Sequence, residues 1–244
     1  MSEQAKNKKY KKILFDLDNT LIDDDANRSY AIKKILKEKN EEISQERVDE
    51  FIKIDNQFWK DRAAGKIKNP YEFKSIEEKT KWVRAQRFLI FFDKMSLEEA
   101  INISNRYTEY LREIIVPIEN SKEILEYLFN KGYDLYIVTN GPIIPLKDKL
   151  KKSNINTYIK YAFSAEEAGR MKPHKEFFDK FFMKANIENK KDILIIGDEL
   201  EKDVLGGIKK GMDTCWFNKD KQSNNTDINP KFEICNLNEL KNIL

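Results

Sequence analysis

Six short apolar runs recur along the chain, and segments with helical spacing separate them. The runs are "KKILFDL" (11–17), "YDLYIVT" (133–139), "YAFSA" (161–165), "DILIIGD" (192–198), "DTCWF" (213–217) and "KFEIC" (231–235). Continuous apolar runs are typical of parallel strands whose two faces are both buried. One intervening segment has a helical stripe of phenylalanines, which we expect to pack on the sheet: Phe177, Phe178, Phe181 and Phe182. The pattern predicts an α/β fold with a parallel sheet between helices.

A long segment after the first run lacks strand alternation. Between residues 23 and 115 the apolar positions have helical spacing, as in "RSYAIKKILKEK". Ser75 with Glu78, and Ser96 with Glu99, have the spacing of capping boxes at helix starts. The sequence therefore predicts two domains: an α/β core from residues 1–22 and 116–244, and an all-helical domain from residues 23–115 inserted into it.

Polar side chains collect where the predicted strands end. They are Asp16, Asp18 and Thr20 after the first run, Thr139 and Asn140 at the second, Asp198 and Asp203 after the fourth, and Lys172 before the phenylalanine-rich helix. The carboxyl ends of parallel strands line one edge of a sheet, so we expect these side chains to converge. Neighbouring carboxylates repel unless a cation compensates, and an all-oxygen ligand set suits Mg²⁺.

Phosphoryl transfer gives these residue types a common task. A carboxylate beside a metal-bound phosphate can act as the nucleophile, and a neighbouring carboxyl can protonate the leaving alkoxide and then deprotonate water. Thr139, the backbone amides of Asn140 and Gly141, and Lys172 are suited to neutralise the phosphoryl oxygens.

The amino-acid composition argues against several kinds of partner and site. The 244 residues include 45 Lys+Arg and 42 Asp+Glu, a net charge of +3, which argues against a nucleic-acid polymer as partner. The basic cluster from Lys6 to Lys12 is interpreted as a solvated tail, with a phosphate-binding arm as the alternative. Because no stretch approaches the roughly 20 apolar residues of a membrane span, we expect no membrane association and a cytoplasmic location. His174 is the only histidine, which excludes a zinc site built from several histidines.

The joint order of the motifs resembles the haloacid dehalogenase (HAD) superfamily. D-x-D-x-T, a strand-ending Thr, Lys-Pro and G-D-x-x-x-x-D follow one another as in that superfamily. The resemblance implies a Rossmann-like, doubly wound core and an inserted helical cap of the C1 type. It also implies these roles: Asp16 as nucleophile and metal ligand, Asp18 as acid/base and backbone ligand of Mg²⁺, Thr139 and Lys172 as phosphate ligands, Asp198 as metal ligand and Asp203 as supporting acid of the metal site.

Several longer segments resemble the YjjG/YfnB-type pyrimidine 5′-nucleotidase branch. They are "TNGP", "KPHKEFFD", "GDELEKDVLGGIKKGMDTCWFN" and "FWKDRAAGKI". This resemblance implies an Mg²⁺-dependent nucleoside 5′-monophosphate phosphatase that works through an aspartyl-phosphate on a small-molecule phosphomonoester. The alternatives are a phosphatase of sugar phosphates or phosphoglycolate, and a non-catalytic phospho-aspartate switch. An acid at Asp18 favours a phosphatase over a dehalogenase, because a halide leaves without protonation.

Some features of the sequence allow more than one interpretation. Glu199 stands where the branch often has a small polar residue, and its charge can alter the metal site. Trp59, Arg62 and Arg87 are candidates for lining a base pocket, with packing in the core of the helical domain as the alternative for Trp59. The oligomeric state is left open between a monomer and a homodimer.

Overall fold

A computed structural model describes residues 9–244, and within this range the chain forms a six-stranded parallel sheet. The strand order is β3-β2-β1-β4-β5-β6. The strands are β1 (Lys12–Phe15), β2 (Asp134–Thr139), β3 (Tyr161–Ser164), β4 (Ile193–Gly197), β5 (Asp213–Phe217) and β6 (Phe232–Ile234). Each of the six predicted strands is confirmed, and so is the α/β fold class. Part of the predicted basic tail, Lys6 to Lys8, lies outside the described residues.

Helices occupy most of the remaining chain. They are α1 (Asp24–Glu38), α2 (Gln45–Ala63), α3 (Ile76–Phe91), α4 (Leu97–Glu113), α5 (Ser121–Asn130), α6 (Ile143–Lys152), α7 (Ala165–Ala168), α8 (Lys175–Lys184) and α9 (Leu205–Lys209), with a π-helical turn at Leu200–Val204 and 3₁₀ turns at Asn156–Tyr158 and Leu237–Asn242. Ser96 and Glu99 form the predicted capping box of α4. In the part of the chain described here, no helix is both long and apolar enough to cross a membrane.

The sheet is buried on both faces, which explains the continuous apolar runs. In β1, Ile13 and Phe15 belong to one apolar cluster, whereas Leu14 belongs to the cluster on the opposite face. The first cluster also contains residues of α5 and α6. The second contains the phenylalanine stripe of α8, with Phe177, Phe178 and Phe181 fully buried and Phe182 5% exposed. Burial of each such side chain contributes roughly 1.5–3 kcal/mol, so the stripe alone is a large part of this core.

The described chain divides into two compact units. One comprises the chain up to Asp24 together with Ile115–Leu244, and the other is Asp25–Ile114. The second unit is helical and has its own core, in which Phe51 contacts the rings of Phe88 and Tyr107 at centroid distances of 5.3 Å each. Its role as a substrate cap stays a prediction.

Candidate active site

The strand order changes direction at β1, and the polar motifs meet at that point. β1 lies between β2 and β4, so the chain leaves it on one side and later returns on the other. Asp16 directly follows β1, and its backbone N–H donates to the carbonyl of Ile196 in β4 at 2.8 Å. Thr139 is the last residue of β2, and Asp198 directly follows β4. Ligands bind at such switch points in open α/β sheets.

Three carboxylates form a cluster at this edge. One oxygen from each of Asp16, Asp198 and Asp203 lies within 4.8 Å of the others, so together they can hold a metal ion. Asp16 is 8% exposed and Asp203 is 2% exposed. An uncompensated group of buried carboxylates is strongly unfavourable, which makes a cation part of the physical requirement of this site.

Lys172 supplies one positive charge to the cluster. Its Nζ donates to Asp16 Oδ1 at 2.6 Å, to Asp203 Oδ1 at 2.7 Å and to the carbonyl of Val138 at 2.8 Å. The residue is only 4% exposed. Burial alone lowers the pKa of Lys172, but the carboxylates of Asp16 and Asp203 outweigh this effect and raise it above the usual range. The lysine therefore stays protonated and neutralises one of the carboxylate charges.

Burial is the main cause of the raised pKa values of the acids in this cluster. Burial raises the pKa of Asp16 to about 6, even though Lys172 acts in the opposite direction. Burial and the charges of Asp16 and Asp203 also raise the pKa of Asp198 well above its ordinary value. Lys172 balances only one of the three carboxylates, so the cluster carries excess negative charge when all three are ionised. A hard divalent cation such as Mg²⁺ fits this all-oxygen donor set.

Asp18 has a different environment from Asp16, although the two are two residues apart. The strand ends at Phe15, so both acids lie in the loop that follows it. Asp18 Oδ1 accepts a hydrogen bond from Lys149 of α6. The same ammonium group donates to Asp24 Oδ1 at 2.7 Å. Burial raises the pKa of Asp18 to about 6, against the opposing charge of Lys149.

The turn after β2 is fixed by Asn140. Its side-chain amide donates to the carbonyl of Lys172 at 3.1 Å, and its Oδ1 accepts from the Lys172 N–H at 2.7 Å. The Lys172–Pro173 peptide bond is cis. The Gly141 N–H donates to Thr139 Oγ1 at 3.0 Å. The backbone amide of Asn140 stays a predicted phosphate ligand, and the side chain of Asn140 holds the backbone of the lysine loop.

The position of Asp198 is set by two neighbours. Thr20 Oγ1 donates to Asp198 Oδ1 at 3.2 Å and accepts from the Asp198 N–H at 3.1 Å. The indole Nε1 of Trp216 donates to the Asp198 carbonyl at 2.8 Å. The contacts of Thr20 join the loop after β1 to the loop after β4. Thr20, the threonine of D-x-D-x-T, therefore helps to orient Asp198, which lies 178 positions later in the chain.

The acid Asp203 requires a glycine opposite it. A Cβ on Gly197 would lie 2.3 Å from the Asp203 carboxyl carbon, closer than side chains approach one another. Asp203 Oδ2 accepts from the Glu199 N–H at 3.2 Å. The Glu199 side chain itself pairs with Lys202 on the surface, although its charge contributes to the raised pKa of Asp198.

Sequence reasoning missed Lys149 and Trp216. Lys149 is one of several lysines on α6, and its partner Asp18 lies 131 positions away in the chain. Trp216 is the second-last residue of β5 and has the pattern of a core residue in the sequence, and it is 5% exposed. Only the three-dimensional pairing distinguishes either residue from its neighbours.

His174 is exposed at the start of α8.

The helical unit carries a buried charged network of its own. Asp55 is 1% exposed and accepts from Arg87 at 2.6 Å and from Arg28 at 3.0 Å. The Arg87 guanidinium lies 5.5 Å from the centre of the Trp59 ring, and Trp59 is 40% exposed. Arg87 is therefore held by internal partners, whereas the tryptophan presents an aromatic surface.

Comparison with known proteins identifies the family. Residues 13–217 match the family model of haloacid dehalogenase-like hydrolases. The chain belongs to the haloacid dehalogenase-like hydrolases. The crystal structure of the HAD-hydrolase YfnB from Bacillus subtilis bound to magnesium has a TM-score of 0.82 and 30% identity, and the match covers 97% of this chain and 99% of YfnB.

Two curated relatives are nucleotidases. Pyrimidine 5′-nucleotidase PynA of Streptococcus pneumoniae is 30% identical over 240 residues, which cover 96% of this chain and 97% of PynA. Pyrimidine 5′-nucleotidase YjjG of Escherichia coli is 24% identical over 232 residues, which cover 95% of this chain and 96% of YjjG. The predicted resemblance to this family is confirmed, and the chain is a phosphatase enzyme of the HAD family.

Proposed function

We propose that this HAD phosphatase is an Mg²⁺-dependent nucleoside 5′-monophosphate phosphatase with a preference for pyrimidine nucleotides. The observation that carries the chemistry is the pair Asp16 and Asp18, of which one lies in the metal-binding carboxylate cluster and the other is paired with Lys149. The substrate class is supported by the names of PynA and YjjG, which align over nearly the whole chain.

In the proposed reaction, Asp16 attacks the phosphorus atom and the bond to the leaving oxygen breaks. Asp18 gives its proton to that oxygen, so the nucleoside leaves as an alcohol. The Asp18 carboxylate then takes a proton from water, the water oxygen attacks the aspartyl-phosphate, and inorganic phosphate is released from Asp16. General acid–base catalysis of this type contributes typically about 10²–10⁴-fold.

The neighbouring groups have supporting tasks. Lys172 and the turn at Thr139–Gly141 neutralise phosphoryl oxygens as charge develops, because a lysine and oriented N–H and O–H groups stabilise such charge. Mg²⁺ held by Asp16 and Asp198, with the Asp18 carbonyl as a further ligand and Asp203 in support, would supply charge stabilisation and orientation of the phosphate. The helical unit, with its exposed Trp59, is proposed to select the nucleoside.

The test is phosphate release from UMP, dUMP, TMP, purine monophosphates, phosphoglycolate and sugar phosphates, with magnesium or with EDTA. We expect pyrimidine nucleotides to be preferred, and EDTA and Asp16→Asn to abolish turnover. Asp227→Asn, which changes an exposed acid, is the matched control and should retain full activity.

Other outcomes separate the parts of the proposal. Turnover confined to phosphoglycolate or sugar phosphates would keep the chemistry and overturn the nucleotide assignment. A long-lived phosphoprotein that hydroxylamine cleaves, with no turnover on any compound, would favour a phospho-aspartate switch. Turnover that survives Asp16→Asn would refute Asp16 as the nucleophile.

A further inference from the structure

Lys149 links the acid loop to the helix that follows the phosphate turn. It lies near the end of α6, and its side chain is 15% exposed. Its ammonium group is shared between Asp18 Oδ1 and Asp24 Oδ1. These contacts join α6 to both ends of the loop from Asp18 to Asp24. A largely buried lysine shared by two acids restricts the rotation of both side chains, because each one would otherwise leave a charge unpaired.

The geometry of Asp18 shows which of its oxygens remains available. Lys149 occupies Oδ1. Oδ2 lies 3.6 Å from the point where a Cβ on Gly141 would stand, and Thr139 Oγ1 lies 3.3 Å from the same point. The second oxygen therefore faces the turn at Thr139–Gly141, the phosphate-binding turn of the proposed function.

We propose that Lys149 is a positioning residue for proton transfer: by fixing Oδ1 of Asp18, it keeps Oδ2 directed at the phosphate-binding turn. The inference rests on the proposed acid role of Asp18. Proton transfer requires a heavy-atom distance of about 2.6–3.2 Å, so a carboxyl group that rotates freely spends less time in a productive position. No proton passes through Lys149 itself.

The alternative for Lys149 is a purely structural contact between α6 and the start of α1. Leaving-group chemistry separates the two roles. An alkyl phosphate such as UMP expels an alkoxide, which must be protonated, whereas p-nitrophenyl phosphate expels a stable anion. The ratio kcat/KM reports only the steps up to departure of the leaving group, so hydrolysis of the phospho-enzyme does not enter. A loss of positioning should therefore affect the alkyl phosphate selectively.

The experiment measures kcat/KM on UMP and on p-nitrophenyl phosphate for wild type, Lys149→Met, Lys149→Arg and Asp18→Asn. If UMP is not hydrolysed, the best alkyl phosphate of the substrate panel replaces it. We expect Lys149→Met to lower kcat/KM about ten- to a hundredfold on the alkyl phosphate, part of the range for general acid catalysis, and less than about threefold on p-nitrophenyl phosphate. Lys149→Arg should recover most of the loss. Lys147→Met, an exposed lysine on the same helix, should change neither value.

A second variant, Asp24→Asn, distinguishes a loss of positioning from a folding defect. Asp24→Asn removes one of the two acids but leaves the Lys149–Asp18 contact, so the positioning role predicts only a small effect on either substrate. Equal losses on both substrates in Lys149→Met, or a large equal loss in Asp24→Asn, would overturn the inference and favour the structural contact. If Asp18→Asn shows no dependence on the leaving group, the proposed acid role itself fails, and the role of Lys149 fails with it.

Discussion

Replacing Lys172 with methionine tests whether the carboxylate cluster is built for a cation. Methionine keeps an unbranched apolar side chain of similar size and removes the charge. In the folded protein the lysine donates to Asp16 and Asp203 at 2.6 and 2.7 Å, and all three residues are buried. Breaking a buried ion pair by removing one partner costs roughly 3–5 kcal/mol. Without metal, we expect Lys172→Met to reduce the free energy of unfolding by about 3–5 kcal/mol. This is a large share of the total free energy of unfolding, which is about 5–15 kcal/mol in typical native proteins.

Magnesium should offset a substantial part of this loss. The carboxylates that Lys172 neutralises are the same ones that can hold a divalent cation. A ligand that binds only the folded state adds about 2.7 kcal/mol when its concentration is a hundred times its dissociation constant. Because the variant has one more uncompensated negative charge, it should bind magnesium more tightly than the wild type and gain more stability from it.

The assay is urea unfolding followed by circular dichroism, in mildly alkaline buffer with EDTA and again with saturating magnesium. Lys180→Met is the matched control, since Lys180 lies on the surface of α8 and donates to the carbonyl of Ala168 at 2.7 Å. We expect the control to lose little, and equally in both buffers. If Lys172→Met loses the same free energy with magnesium as with EDTA, the lysine does not balance the charges of a metal site, and the reasoning is refuted.

Three further predictions concern the same protein. Gly197→Ala places a Cβ 2.3 Å from the Asp203 carboxyl carbon, so Asp203 must move. We expect kcat/KM on every phosphomonoester substrate to fall at least about tenfold and the free energy of unfolding in urea to fall by about 1.5–3 kcal/mol. Unchanged activity would contradict this prediction. The pKa of Asp16 is raised from 3.8 to about 6, so the folded state binds this proton more tightly; in EDTA, wild type should lose about 2 kcal/mol relative to Asp16→Asn as pH rises from about 4 to 6, and a flat difference would argue against it. Asp55→Asn weakens a buried pair with Arg87 at 2.6 Å and should reduce the free energy of unfolding by about 3–5 kcal/mol in thermal or urea unfolding, whereas a change within experimental error would show that the pair is dispensable.

The sheet was predictable because of how its strands are buried. The central strands β1, β2 and β4 have apolar neighbours on both faces, so each is a continuous apolar run that stands out between amphipathic helices. The candidate residues were predictable for a related reason. Parallel strands place their carboxyl ends at one edge, so polar residues just after apolar runs are expected to meet there. Asp16, Asp198 and Asp203 do meet, within 4.8 Å.

The partners of these residues were not predictable, because the contacts join distant parts of the chain. Thr20 and Asp198 are separated by 178 positions, and Asn140 and Lys172 by 32. A lysine or tryptophan on a predicted helix or strand gives no local sign of the acid or carbonyl that it will contact. The path of the loop was also not predictable: the first strand ends one residue before Asp16, so both acids lie in a loop whose conformation the residue pattern does not determine.

The loop after β1 is what makes two identical side chains different. The carbonyl of Leu17 accepts from the backbone N–H groups of Leu21 and Ile22, which folds the loop tightly just after Asp16. As a result Asp16 remains in the carboxylate cluster beside Lys172, whereas the Asp18 side chain pairs with Lys149 of helix α6. Two carboxyl groups take different tasks when their surroundings differ in charge and solvation. The separate lysines give each acid its own surroundings, which is the physical basis for proposing one as nucleophile and the other as acid/base.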